Sequence, residues 1–313
     1  MRSNTIFLHK RAMEVWVLIT VGAAFVQNIR SALQKHLRGQ VGTAAATFVR
    51  FGFGGPFAFL FLWLALQWTG NALPALPSSF WFWIVLAAIA QISAQLLLII
   101  AFTLKNFAVA GAYVRVEPVL AALFGAIILT EVPSLILMIA VAISVFGVML
   151  ISLTETRLSP MAMLASLGTK AALVGLGSAT IFGFAAVAFR AASLALGGPS
   201  FLIQGAVTLC AAITIQSVLL GIWLILREPG DLLHLLRKWP LSLSVGFVGA
   251  LASYGWFTAM TLETAAAVKA VAQVEMLFAL ATTALVFRER ISAREITGCF
   301  LIVSGVLLLI GYA

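Results

Sequence analysis

Apolar residues run along this chain in long blocks, each closed by a short cluster of polar residues, glycines or prolines. The blocks stand at 13–34, 43–68, 80–103, 107–130, 134–153, 171–195, 200–226, 240–262, 265–287 and 294–312. Each reaches about 20 residues, the length that carries an α-helix through the hydrocarbon core of a bilayer. The strands of a membrane barrel would alternate apolar and polar positions over about ten residues; these blocks are apolar throughout. The pattern predicts an all-α integral membrane protein with ten transmembrane helices. Breakers mark several joints: Gly39 to Gly42, Gly70 to Pro77, Gly197 to Pro199, and Pro229 to Gly230. Residues 1–12 are expected to form a short tail, and 154–170 a linker. Gln27, Asn28 and Arg30 interrupt the end of the first block and no small-residue cleavage site follows, so it reads as a retained span rather than a signal peptide.

Composition agrees. Of 313 residues, 63% are hydrophobic and 9% charged, against about 25% charged in a soluble domain. A soluble fold of this size has no core able to hide that much apolar surface. Cytosolic enzymes, secreted domains and DNA-binding proteins are excluded. The net charge of +9 comes from basic residues scattered among loops and forms no stripe for nucleic acid. Cys210 and Cys299 sit in apolar runs without CxxC spacing, as small buried hydrophobes do. With only short loops between spans there is no room for a catalytic domain. HExxH and GxSxG are absent. No enzyme, metal or cofactor is implied.

The second half repeats the first. Shifted by 158 positions, Ala101, Thr103 and Leu104 fall on Ala259, Thr261 and Leu262. In the same register Glu117 falls on Glu275, Glu131 on Glu289, Ser134 on Ser292 and Gly147 on Gly305. Apolar matches are cheap in a membrane sequence; two matched glutamates are not. Each unit therefore holds five spans, 13–153 and 171–313. Five is odd, so the second unit enters the membrane in the opposite sense. Inverted repeats of this kind are the architecture of many secondary transporters, with a substrate site near the midplane at their interface.

Charges at bilayer depth are costly, at about 2.5–3.5 kcal/mol or more each, and point to function or to a partner. Glu117 and Glu275 each lie about ten residues into a span. They read as a pair of carboxylates lining a translocation path, able to hold a cationic or amino group or to take up protons. The alternative is neutralisation by a fixed base, Arg50 or Arg30 for Glu117 and Arg190 for Glu275. Pro118 frees a backbone carbonyl one turn back. Arg115 and Gln273 are repeat-equivalent. Each precedes its glutamate by two residues and so points about 200° away on a continuous helix; they line a second face or grip a neighbouring helix. Tyr113, four before Glu117, shares its face, and Val271 takes the place of Tyr113 in the other unit.

Gln91 and Gln95 share a face of the third span, and Gln95 is equivalent to Ser253, beside Tyr254 and Trp256. Gln95, Tyr254 and Asn28 are further candidates for the lining, and Trp256 for stacking a substrate. Asn28 with Arg30, and Arg190, stand near span ends as gates or anion holders, or as arginines snorkelling to headgroups.

The segments AVAGAYVRVEPVLAALFGAIILTE at 108–131 and AAAVKAVAQVEMLFALATTALVFRE at 265–289 carry a family resemblance. Each runs from a small-residue opening through a polar point in mid-helix to a terminal Glu. With the ten spans in two five-span units, the chain resembles the EamA-type branch of the drug/metabolite transporter superfamily. The resemblance covers nearly the whole chain, and Arg50 matches an arginine common in the second span. It implies a multi-pass protein of the cell inner membrane. Such a protein moves a small polar or amphiphilic metabolite by alternating access, export being the family's habit. The partners it implies are that metabolite, the lipid bilayer, and protons or an exchanged metabolite as the energy source, since no ATP-binding motif is present. The Arg, Glu and Gln set suits a zwitterionic or amino-bearing substrate. An uptake carrier for a vitamin or nucleoside-like compound and a passive facilitator are the alternatives. Relatives keep both termini in the cytoplasm. Here the side of the termini holds only Arg2, Lys10 and Arg11. The opposite loops hold Lys35, Arg38, Lys105, Arg157, Lys170, Arg227, Arg237, Lys238, Arg288, Arg290 and Arg294. The positive-inside rule therefore places the termini outside.

Overall fold

The computed structural model describes residues 2–38, 41–104, 107–156, 168–286 and 292–312. Lys105, Arg157, Arg288 and Arg290, four of the residues behind the sidedness expectation, fall outside these ranges, as does most of the 154–170 linker. Among the described residues, ten helical spans are long and apolar enough to cross a membrane, from Val15–Gln34 to Ala293–Gly311. They coincide with the blocks of the sequence to within a few residues. The first helix begins at Arg2 and runs to Arg38, so the residues before Val15 continue it. Trp68, Trp223 and Trp239, near span ends, are exposed, as aromatic side chains at a lipid interface are.

Three spans are interrupted. The second divides into Thr43–Gly52 and Gly55–Thr69, with Pro56 in the first turn of the second piece. The fourth divides into Phe107–Val114 and Glu117–Ile128, with Pro118 in the first turn. Pro118 has no N–H to return to the Val114 carbonyl, and its ring crowds that turn. The N–H groups of Arg115 and Val116 instead reach Ala112 and Tyr113, three residues back, at 3.1 and 3.2 Å. The ninth span divides into Ala265–Val271 and Glu275–Val286 around a 3₁₀ turn, Ala272–Val274. No proline or glycine stands there; Met276 occupies the position of Pro118. The fourth and ninth breaks are nonetheless repeat-equivalent, and each releases a half-helix whose first residue is a glutamate.

Contacts divide the chain into two units, each drawing on both halves of the sequence. One comprises 1–21, 90–187 and 263–313; the other comprises 22–89 and 188–262.

In the first unit the fifth and tenth spans pack by a symmetrical glycine contact. A Cβ on Gly147 would lie 2.7 Å from the Gly298 carbonyl oxygen, and one on Gly305 2.8 Å from that of Ala140. The repeat shift carries Gly147 onto Gly305 and Ala140 onto Gly298, so the two contacts are one contact seen twice. A local pseudo-two-fold axis therefore passes between these helices. Close backbone approach through small residues is the usual means of helix association in lipid.

In the second unit Gly54 and Gly246 play that part. A Cβ on Gly54 would lie 3.2 Å from the Gly246 carbonyl oxygen, and one on Gly246 would collide with the backbone of Phe53. The interruption of the second span is thus where the eighth span touches its backbone. Gly205 brings the seventh span onto Thr258, whose Oγ1 a Cβ there would meet at 2.5 Å.

Candidate functional site

Four ionisable residues of the first unit, Arg115, Glu117, Lys269 and Glu275, stand at or within a turn of the two equivalent breaks. The half-helix Ala265–Val271 packs on Glu117–Ile128. Lys269 on the former lies 2.7 Å from Oε1 of Glu117 at the head of the latter. Their side chains are 25% and 19% exposed, so both charges are largely withdrawn from solvent and lipid. Glu117 has a second source of stabilisation: as the first residue of a half-helix it faces the positive end of that helix's dipole. Glu275 occupies the same place at the head of Glu275–Val286. Gln273, one turn beyond Lys269 on the sequence, donates from Nε2 to the Arg115 carbonyl at 3.5 Å. Arg115 and Gln273 are repeat-equivalent, so their contact marks the pseudo-two-fold axis a second time, now at the breaks themselves.

This arrangement changes three expectations. Glu117 is paired with Lys269, not with Arg50 or Arg30, because the ninth span packs on the fourth at this level. Arg190 belongs to the other unit, where its Nη1 donates to the Met260 carbonyl at 2.6 Å. At 9% exposure Arg190 is buried and does not snorkel. The spacing rules applied to Tyr113, Arg115 and Glu117 assumed a continuous helix, and the break at 115–116 removes that premise. Tyr113 is 5% exposed and packs in an apolar cluster with Ala112, Ala172, Met149 and Leu176.

A recess of about 190 Å³ reaches this level from the membrane face. Its outer wall carries Glu131, Pro133, Ser134 and Glu263, and its inner wall Ala121, Gly125 and Ala266. Ala121 is one turn beyond Glu117, and Ala266 one turn before Lys269. Counting spans, the Glu131 and Glu263 loops lie on the face that also carries the two termini. The recess is lined by the carboxylates of Glu131 and Glu263 and, within the fourth and ninth spans, by Ala121 and Ala266. Thr264 at its rim caps the half-helix behind Lys269, its Oγ1 accepting from Ala267 N at 3.3 Å.

The remaining candidates fall elsewhere. Gln95 is partly buried on the third span in the first unit. Tyr254, Trp256 and Asn28 belong to the second unit, with Arg30, Arg50 and Arg190. Tyr254 stacks on Phe61 with ring centroids 5.7 Å apart and donates to the Leu202 carbonyl at 3.2 Å. Trp256 is buried, and its Nε1 donates to Oε1 of Gln27 at 3.0 Å. Asn28 is half-buried on the first span.

Sequence reasoning passed over Lys269. Its signal was present: it lies four residues before Gln273, the repeat counterpart of Arg115, and therefore on the stretch facing the fourth span. Gln27, the acceptor for Trp256, carried no comparable signal.

Comparison with known proteins bears on the whole chain. The EamA-like transporter family matches residues 14–153 and again 169–311. Among curated proteins no match is found. A solved structure titled only "Crystal structure of protein" superposes with a TM-score of 0.68, covering 95% of this chain and 97% of its own. Its identity to this chain is 19%, so the likeness speaks for the fold alone.

Proposed function

The chain belongs to the EamA-like transporter family, membrane transporters of small molecules, and from that premise we propose a secondary carrier for a small zwitterionic or amino-bearing metabolite, working by alternating access in the inner membrane, with export as its direction. The observation that carries this reading is the Glu117–Lys269 pair at a helix break. A zwitterion answers such a pair group for group. Its ammonium takes Lys269's place on Glu117, and its carboxylate takes Glu117's place on Lys269. One ion pair becomes two, and the net charge inside the membrane does not change. At an effective dielectric of about 20, an ion pair at 4 Å is worth about 4 kcal/mol, which offsets part of the dehydration of the two charged groups. Glu275, at the equivalent break, supplies a second carboxylate, with Gln273 and Arg115 shaping the wall between them.

The breaks also supply the hinge. Broken helices are tolerated at membrane depth where their freed backbone groups are buried in protein or line a water-filled cavity. In inverted-repeat carriers such helices surround the substrate. Two half-helices joined by one turn can tilt separately, so the recess can close on one face while another opens. The carboxylates of Glu131 and Glu263 favour approach of a positively charged group.

The test is flux. Purified protein is sealed into liposomes loaded with a metabolite extract, and the compounds that leave are followed by mass spectrometry against empty liposomes. Selective loss of amino-bearing zwitterions, abolished in Glu117→Gln and in Lys269→Met, is the expected result. Loss of uncharged compounds, or unchanged flux in both variants, would overturn the reading.

A further inference from the structure

The second unit holds two arginines for which the carrier chemistry above has no use. Arg30 on the first span and Arg50 on the second meet over Gly249 on the eighth. A Cβ built on Gly249 would lie 3.0 Å from Cγ of Arg50 and 3.5 Å from Cδ of Arg30. Gly249 stands near the middle of the span Trp239–Leu262, so both arginine stems are held at depth rather than directed to the headgroups. A Cβ there would press on the Arg50 stem.

The acidic residues of this unit are Glu228 and Asp231, and both stand beside Gly42, ahead of the second span. Asp231 Oδ2 accepts from Gly42 N at 2.6 Å. Glu228 Oε2 lies 3.0 Å from the Cβ position of the same glycine. From Gly42 to Arg50 is eight residues, about 12 Å along a helix. Neither carboxylate stands beside Arg50. Besides Arg30, two neutral groups face Arg50. Its Nη2 donates to Ser253 Oγ at 3.3 Å, and its guanidinium lies 4.8 Å from the Phe51 ring centroid. Its Nε is buried without a hydrogen-bond partner. Two cations at membrane depth, one with a buried donor to spare, form an arrangement that an anion completes. The guanidinium fork matches a planar or tetrahedral oxyanion better than a spherical ion. Ser253, 5% exposed and one turn from Gly249, adds a hydroxyl on the same face.

We infer that Arg30, Arg50 and Ser253 form a binding site for an oxyanion, the carboxylate or phosphate group of a soluble molecule. Its identification with the transported molecule rests on the carrier reading; the site itself does not. The experiment is thermal unfolding of the full-length protein in a non-ionic maltoside detergent. It is titrated with inorganic phosphate or acetate, with choline chloride at matched ionic strength as the reference. The wild type is expected to show a saturable rise in melting temperature. Arg50→Gln and Arg30→Gln raise the apparent dissociation constant at least tenfold, and Ser253→Ala a few-fold. Should the glutamine variants fail to fold, Arg50→Lys keeps the charge and removes the fork, and is expected to weaken binding at least threefold. Three results overturn the inference: no rise in the wild type, an equal rise in every variant, or a rise with phosphatidylglycerol but with neither soluble anion. The last would assign the arginines to lipid. Because binding is read without flux, its failure leaves the carrier reading standing. Binding without flux would do the reverse.

Discussion

Removing Lys269 should cost more than removing both members of its ion pair. In Lys269→Met the Glu117 carboxylate, 19% exposed, loses the ammonium at 2.7 Å. Breaking a buried pair from one side costs about 3–5 kcal/mol, because a charge is left without compensation. Two features of the site reduce that figure. The pair retains some exposure, and Glu117 heads a half-helix, a position that favours an anion by about 0.3–1 kcal/mol. The expected loss is therefore about 2–3 kcal/mol. Adding Glu117→Gln removes the stranded charge, and the double variant should recover about 1–2 kcal/mol of it. Exchanging the residues, Glu117→Lys with Lys269→Glu, keeps the attraction but sets a cation at the helix N-terminus, for a loss of about 1 kcal/mol. Reversible unfolding in mixed micelles measures all four proteins on one scale. If the single and double variants agree within about 0.5 kcal/mol, no stranded charge is relieved by the second change and the reasoning fails.

Gly305→Ala should destabilise by about 1–3 kcal/mol through overpacking, since its Cβ would meet the Ala140 carbonyl oxygen at 2.8 Å. Gly22→Ala, with nothing within 4 Å, should be neutral or gain up to about 1 kcal/mol from helix propensity; thermal melts of the two report both. Arg190→Met should cost about 1–3 kcal/mol by depriving the buried Met260 carbonyl of its donor; an unchanged unfolding midpoint would show that another group takes its place. A reporter fused after Ala313 should be active only if it works outside the cytoplasm, as the loop charges require; cytoplasmic activity would reverse the assigned sidedness.

The spans were legible because lipid imposes a one-dimensional rule. A block such as 200–226 ends where hydropathy ends, and the helix Phe201–Arg227 follows it. The repeat was legible because glutamates are rare in such blocks, so two matched pairs fix a register that apolar matches cannot. The breaks were only half legible. Pro118 marks the one at 115–116, but Met276 marks nothing. The 3₁₀ turn Ala272–Val274 follows from packing of the ninth span on the fourth, a tertiary cause. The interruption at Phe53–Gly54 lies under a visible run of glycines and Pro56. It was passed over because hydropathy continues across it. The partner of Glu117 was missed for a related reason. A charge in a hydrophobic block announces that it has a partner, but not which neighbouring helix supplies it. Once the breaks exist, arguments from i,i+4 spacing lose their meaning across them, and the pairing of Tyr113 with Glu117 on one face goes with them.

What distinguishes the two breaks matters as much as what relates them. Two identical broken helices related by a two-fold axis would give a carrier whose inward- and outward-facing forms have equal energy. Here the equivalent positions differ where it counts. Lys269 corresponds to Gly111, Gln273 to Arg115, Val271 to Tyr113 and Met276 to Pro118. The ion pair of Glu117 with Lys269 therefore has no counterpart of the same composition, because Gly111 brings no side chain to Glu275. A difference of about 3 kcal/mol between the two forms is a bias of roughly 100-fold. On the carrier reading the pair holds the empty protein in one form, and the substrate lifts that bias by replacing both partners at once. A ligand that supplied only one of the two charges would leave Lys269 or Glu117 uncompensated, and would be held less well than a zwitterion. The broken symmetry and the preference for a zwitterion then have a single origin in one lysine.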